Sequence, residues 1–108
     1  MVKKYIFVGN RRFVLERMVA ERVNLSSVCV VAGTHLERDL RNGCISGVTN
    51  YEVVNNKKEL FSFLLQANFD VLVSNGCPYI LPLSELPRAK YINIHPSYLP
   101  DLRGVDPV

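Results

Sequence analysis

The sequence predicts an α/β protein with a mostly parallel sheet and helices on both of its faces. Three observations carry this. Short apolar runs rich in β-branched residues recur along the chain, stretches with helical apolar spacing lie between them, and each run closes on glycine or a polar residue. Strands that alternate with helices join as crossover units, which lays the helices over the sheet and makes the crossovers right-handed.

The elements follow in order. Tyr5-Ile6-Phe7-Val8 reads as a strand buried on both faces and stops at Gly9. Leu15, Met18, Val19 and Val23 then recur at helical spacing, with Arg12 and Glu16 off that stripe. Val28 to Ala32 is the second strand, closed by Gly33-Thr34. A short helix is expected near Leu36 to Leu40, and Asn42-Gly43 marks a turn. Tyr51 to Val54 is the third strand. Asn56 then caps a helix, with Glu59 three residues on as in a capping box, Leu60, Phe63, Leu64 and Ala67 as its apolar face, and Asn68 as its stop. Asp70 to Ser74 is the fourth strand. A proline-bounded connection from Tyr79 to Leu86 has room for one helical turn, and Tyr91 to His95 is the fifth strand.

Composition bounds the rest. A chain of 108 residues with 48% hydrophobic side chains suits one globular domain. A domain of that size buries roughly 60–70% of its unfolded surface. The net charge of +3 is concentrated early, where Lys3, Lys4, Arg11, Arg12, Arg17 and Arg22 face only Glu16 and Glu21. Such a bias suits an anionic ligand or an ordinary solvated face. Cys29, Cys44 and Cys77 are odd in number and lie outside metal-ligand spacing, which predicts no metal site and a reducing, cytoplasmic setting. Cys29, inside an apolar run, reads as a buried small hydrophobe. No stretch approaches the length of a membrane span, and Tyr5 to Val8 is too short for a secretory leader.

Parallel sheets of this kind bind ligands beyond the carboxyl ends of their strands. Those ends are Gly9-Asn10, Gly33-Thr34, Ser74-Asn75-Gly76 and His95-Pro96. Gly9-Asn10-Arg11 opens the first helix, where backbone N–H groups hold an anionic substrate group or simply turn the chain. One glycine is too few for the dinucleotide fingerprint, and the first acid after the second strand is Glu37, so NAD is disfavoured. After the fourth strand, Gly76 permits close approach of a ligand, Pro78 stiffens the path, and Ile80 and Leu81 offer apolar surface to a flat ring.

The last strand carries the chemistry. Asn93 and His95 are two apart, so on a strand they project from one face. An amide N–H donates to a developing oxyanion, and an imidazole takes and returns the proton of an attacking amine. His35 has no such neighbour and reads as a surface residue or helix cap.

Asn93-Ile94-His95-Pro96-Ser97-Tyr98-Leu99-Pro100, with Arg103-Gly104 following, resembles the motif of the formyltransferases that use 10-formyltetrahydrofolate. These act on methionyl-tRNA, glycinamide ribonucleotide or amino sugars. Asp70 to Pro82, ending in Ile80-Leu81-Pro82, is similar to the segment that precedes that motif. The distinctive part is residues 70–108, and the order of elements matches along the whole chain.

The resemblance implies a Rossmann-like three-layer α/β/α domain of which residues 1–108 form the N-terminal portion, with an incomplete sheet. It implies Asn93 and His95 as catalytic residues and 10-formyltetrahydrofolate as formyl donor. Gly76, Cys77, Pro78, Tyr79, Ile80, Leu81 and Ser97 would hold the folate, and Gly9, Asn10 and Arg11 the amine substrate. The family's catalytic aspartate would lie beyond Val108, since Asp101 and Asp106 sit in the motif loop. The chain alone would then be inactive. The first turn lacks the Gly/Ser-rich phosphate loop of the glycinamide ribonucleotide enzymes, which leaves an amino-sugar nucleotide as preferred acceptor and methionyl-tRNA behind it. A sheet that stops at the fifth strand leaves an open edge, inviting self-association. The alternatives are a domain that binds folate or nucleotide without catalysis, and a hydrolase in which water replaces the amine.

Overall fold

The computed structural model describes residues 2–76, 79, 83–86 and 89–94. Its elements run β1 (Tyr5–Gly9), α1 (Arg12–Ala20), β2 (Leu25–Val31), α2 (His35–Arg41), β3 (Glu52–Val54), α3 (Lys57–Gln66), β4 (Val71–Asn75), a single 3-10 turn (Leu83–Glu85) and β5 (Lys90–Ile94). The five strands form one sheet in the order β3-β2-β1-β4-β5, and every pairing is parallel. The chain works outward from β1 to β3, then crosses back and works outward again through β4 and β5. The direction reverses between β1 and β4, as in Rossmann-like α/β folds.

Strand alternation divides the core into two layers. Phe7, Val28, Val30, Val71 and Val73 pack against Leu15 and Met18 of α1 and Leu36 and Leu40 of α2. Ile6, Val8, Cys29, Val31, Val54 and Leu72 pack on the other face against Leu60 and Leu64 of α3. β1 is buried on both faces, with Ile6 and Phe7 fully inaccessible. That explains why its sequence is a continuous apolar run rather than an alternating one. Burying a side chain such as Phe7 contributes roughly 1.5–3 kcal/mol.

The helix boundaries follow local chemistry. Asn56 Oδ1 accepts from the Glu59 N–H at 2.9 Å, while Glu59 Oε1 accepts from the backbone and side-chain N–H of Asn55. The same device starts α2. Thr34 Oγ1 accepts from the Glu37 N–H at 3.3 Å, and Glu37 Oε1 accepts from the Gly33 N–H at 3.2 Å. His35 is thus the exposed first residue of α2, and Thr34 is its cap.

α1 ends earlier than the apolar spacing suggests. Arg22 adopts φ +60°, its N–H bonding the Val19 carbonyl and the Val23 N–H bonding the Met18 carbonyl. This is a Schellman closure, which usually carries glycine at the left-handed position. Val23 therefore lies outside the helix, yet still packs against the α1-side core. β2 begins at Leu25 rather than Val28, and Ala67 caps α3 instead of belonging to it.

No helix among the described residues is long and apolar enough to cross a membrane.

Candidate functional site

The carboxyl ends of β1 and β4 meet at the point of reversal. Gly9 is in register with Asn75, and a Cβ on Gly9 would strike the Asn75 carbonyl. Only a residue without a side chain lets the two backbones come this close. The Asn10 N–H then donates to the Asn75 carbonyl at 3.1 Å, extending the contact one residue past the strands. Gly76 turns β4 away with φ +72°, and a Cβ there would meet Asn10 Oδ1 and, at 2.6 Å, Arg11 Cγ. Two turns far apart in sequence thus interlock, with the Arg11 side chain lying over Gly76.

α1 starts at this crevice. Its N-cap, Arg11, is extended and makes no side-chain capping bond, and the first turn carries no acid. Arg12 is directed away from the crevice, bonding Glu16 at 2.9 Å, Asp39 at 3.3 Å and the Cys44 carbonyl at 3.2 Å. Hydrogen bonds donated to Glu16 first and to Asp39 second raise the Arg12 pKa. Of the basic cluster near the N-terminus, Arg12 and Arg17 are drawn into ion pairs with their own helix. Arg11 is exposed at the rim.

Asn75 ends β4 and is only 2% exposed. Alternation puts its side chain on the face of Val71 and Val73, under α1. Its Nδ2 donates to the Ile94 carbonyl of β5 at 2.7 Å. Its Oδ1 is buried and finds no hydrogen-bond partner among the described residues.

Asn93 occupies the opposite side of the rim. It is exposed and in register with Ser74. It shares its face of β5 with Tyr91, which packs into the α3-side core and meets the Phe69 ring edge-on at 6.1 Å. Partial burial raises the Tyr91 phenol pKa. Tyr79 packs against the same core.

The rim therefore has two sides that meet at Gly76. Gly9, Asn10, Arg11 and Asn75 line the α1 side. Asn93, Ser74 and Tyr79 belong to the α3 side. His95, Cys77, Pro78, Ile80, Leu81 and Ser97, with the motif loop through Arg103-Gly104, lie outside the described residues. Glu37, the acid nearest the end of β2, is engaged in capping α2 and is 3.6 Å from Arg41. Among the described residues no group of histidines, cysteines and carboxylates is arranged to hold a metal.

Sequence reading put Asn75 at the rim after the fourth strand with no role of its own, and the structure puts it inside that strand as its last residue. The available signal was an amide at the end of an otherwise buried strand, a residue type depleted in sheets. Compared with protein-family models, with curated proteins and with solved structures, the chain matches none.

Proposed function

We propose that this domain takes part in transferring a formyl group from 10-formyltetrahydrofolate to a primary amine. An amino-sugar nucleotide is the preferred acceptor and methionyl-tRNA the next. The amine nitrogen attacks the formyl carbon, and the carbonyl oxygen becomes an oxyanion. Asn93 donates a hydrogen bond to it. His95 accepts the amine proton and returns it to the departing folate nitrogen as the carbon–nitrogen bond to the donor breaks. Gly76 to Leu81 and Ser97 hold the folate, and Gly9, Asn10 and Arg11 receive the acceptor's anionic group at the start of α1. A folate substrate and the exposed thiol of Cys44 fit a reducing, cytoplasmic setting.

The observation that carries the reading is the position of Asn93. It sits one residue before the end of β5, in register with Ser74, on the carboxyl rim of a parallel sheet and one strand away from its point of reversal. Ligands of such sheets bind there.

Turnover of 10-formyltetrahydrofolate with amine acceptors by the whole protein tests this. Asn93→Ala should lower kcat by roughly 100- to 1000-fold, the loss typical of one oxyanion donor. His95→Ala should cost about 100-fold or more. Binding of a folate analogue should survive both changes. Wild-type turnover by His95→Ala overturns the mechanism. Folate binding without turnover would make this a binding domain, and formate release without an amine would make it a hydrolase.

A further inference from the structure

Asn75 is an unexpected residue for its position. Its neighbours on the same strand face, Val71 and Val73, are core valines, and the side chain is as buried as they are. Its amide makes one bond through Nδ2 and leaves Oδ1 buried without a partner among the described residues. An unmade bond at a buried acceptor costs at least as much as one made bond contributes. An apolar side chain of similar volume would remove the unmet acceptor and extend the valine stripe, leaving the Ile94 carbonyl to water at an exposed strand end. Stability alone therefore gives no reason for an amide here.

The bond that Asn75 does make has a specific target. Asn75 and Ile94 are register partners at the ends of β4 and β5. In the parallel ladder the backbone donor facing the Ile94 carbonyl is the N–H of Gly76, the first residue past β4. The Asn75 side-chain amide holds the same carbonyl at 2.7 Å. That carbonyl lies one residue past Asn93, so the bond fixes the end of the strand that carries the Asn93 side chain.

We propose that Asn75 is a positioning residue: its amide holds the Ile94 carbonyl, and so the end of β5 that carries Asn93, the proposed oxyanion donor. The proposal rests on the formyl-transfer reading. Near the reacting atoms, a misplacement of about 1 Å is enough to cost roughly a hundredfold in rate.

Asn75→Leu in the whole protein tests it with three readouts. The thermal midpoint should stay level or rise, because the unpartnered oxygen is gone. Amide hydrogen exchange at the carboxyl end of β5 should quicken by roughly tenfold, as expected for one lost bond. kcat should fall by roughly ten- to a hundredfold with KM for 10-formyltetrahydrofolate unchanged. Asn75→Val makes the same deletion without overfilling the site and should behave alike. Wild-type kcat in either folded variant overturns the proposal, as does a drop in midpoint that accounts for the whole loss of activity. If the wild-type protein itself transfers no formyl group, the formyl-transfer reading falls. Hydrogen exchange then decides Asn75 alone: faster exchange at the end of β5 upholds its hold on the strand, and unchanged exchange removes it.

Discussion

The start of α1 and the starts of α2 and α3 are built in opposite ways. α2 and α3 each begin with a side-chain oxygen on the N–H three residues ahead and a glutamate reaching back to the turn before the cap. α1 begins with an arginine that caps nothing, no acid in its first turn, and a second arginine tied into neighbouring structure. Two helices are secured by local chemistry at their first turn. The third is held by what it packs on, namely Leu15 and Met18 against the sheet. The difference falls where β1 and β4 part, at the start of the helix that opens on the crevice.

The largest test of that contrast is Gly9→Ala. It pushes a methyl group into the Asn75 carbonyl and forces β1 and β4 apart beneath α1. A loss of about 3 kcal/mol in denaturant unfolding is expected. A loss below about 0.5 kcal/mol, the range of ordinary surface changes, would show that the strands spread freely.

Removing the caps comes next. Thr34→Ala and Asn56→Ala should each cost about 1 kcal/mol, and Arg11→Ala should fall within about 0.5 kcal/mol of wild type. Equal losses at the three positions would erase the distinction.

The smallest effect lies at the other end of α1. Arg22 holds a left-handed conformation that favours glycine, so Arg22→Gly should raise stability by about 0.5–1 kcal/mol, read as a shift in urea midpoint at constant slope. A loss would mean that the arginine side chain contributes more than its backbone costs.

Much of this architecture could be read from the chain because it is locally encoded. Two-faced burial wrote β1, β2 and β4 as apolar runs, and Asn56 with Glu59 announced α3. Thr34 and Glu37 have the same spacing, but their helix is short and its apolar residues begin only at Leu36, which drew the expected start inward. Val23 fits the helical stripe and is nonetheless excluded, because Arg22 gives no hint in its side chain of a left-handed backbone. Asn75 was the least legible. Its meaning depends on a register with Ile94, nineteen residues away, whose carbonyl its side chain holds. A pairing between strands cannot be seen in either strand alone. Asn93 was legible as a residue near the carboxyl end of the last strand, because the apolar run around it marks that strand locally.

The sheet order also has a consequence for how the chain is made. β1 emerges from the ribosome first but sits in the middle of the sheet, and one flank can be covered only when Val71 to Asn75 arrive. The Lys4 N–H waits as long for the Asp70 carboxylate, 66 residues downstream. At roughly 5–20 residues per second, that exposes an apolar strand edge for several seconds of synthesis. Until β4 is made, that edge of β1 has no strand to pair with, so the sheet cannot close around its first strand until about two thirds of the chain exist.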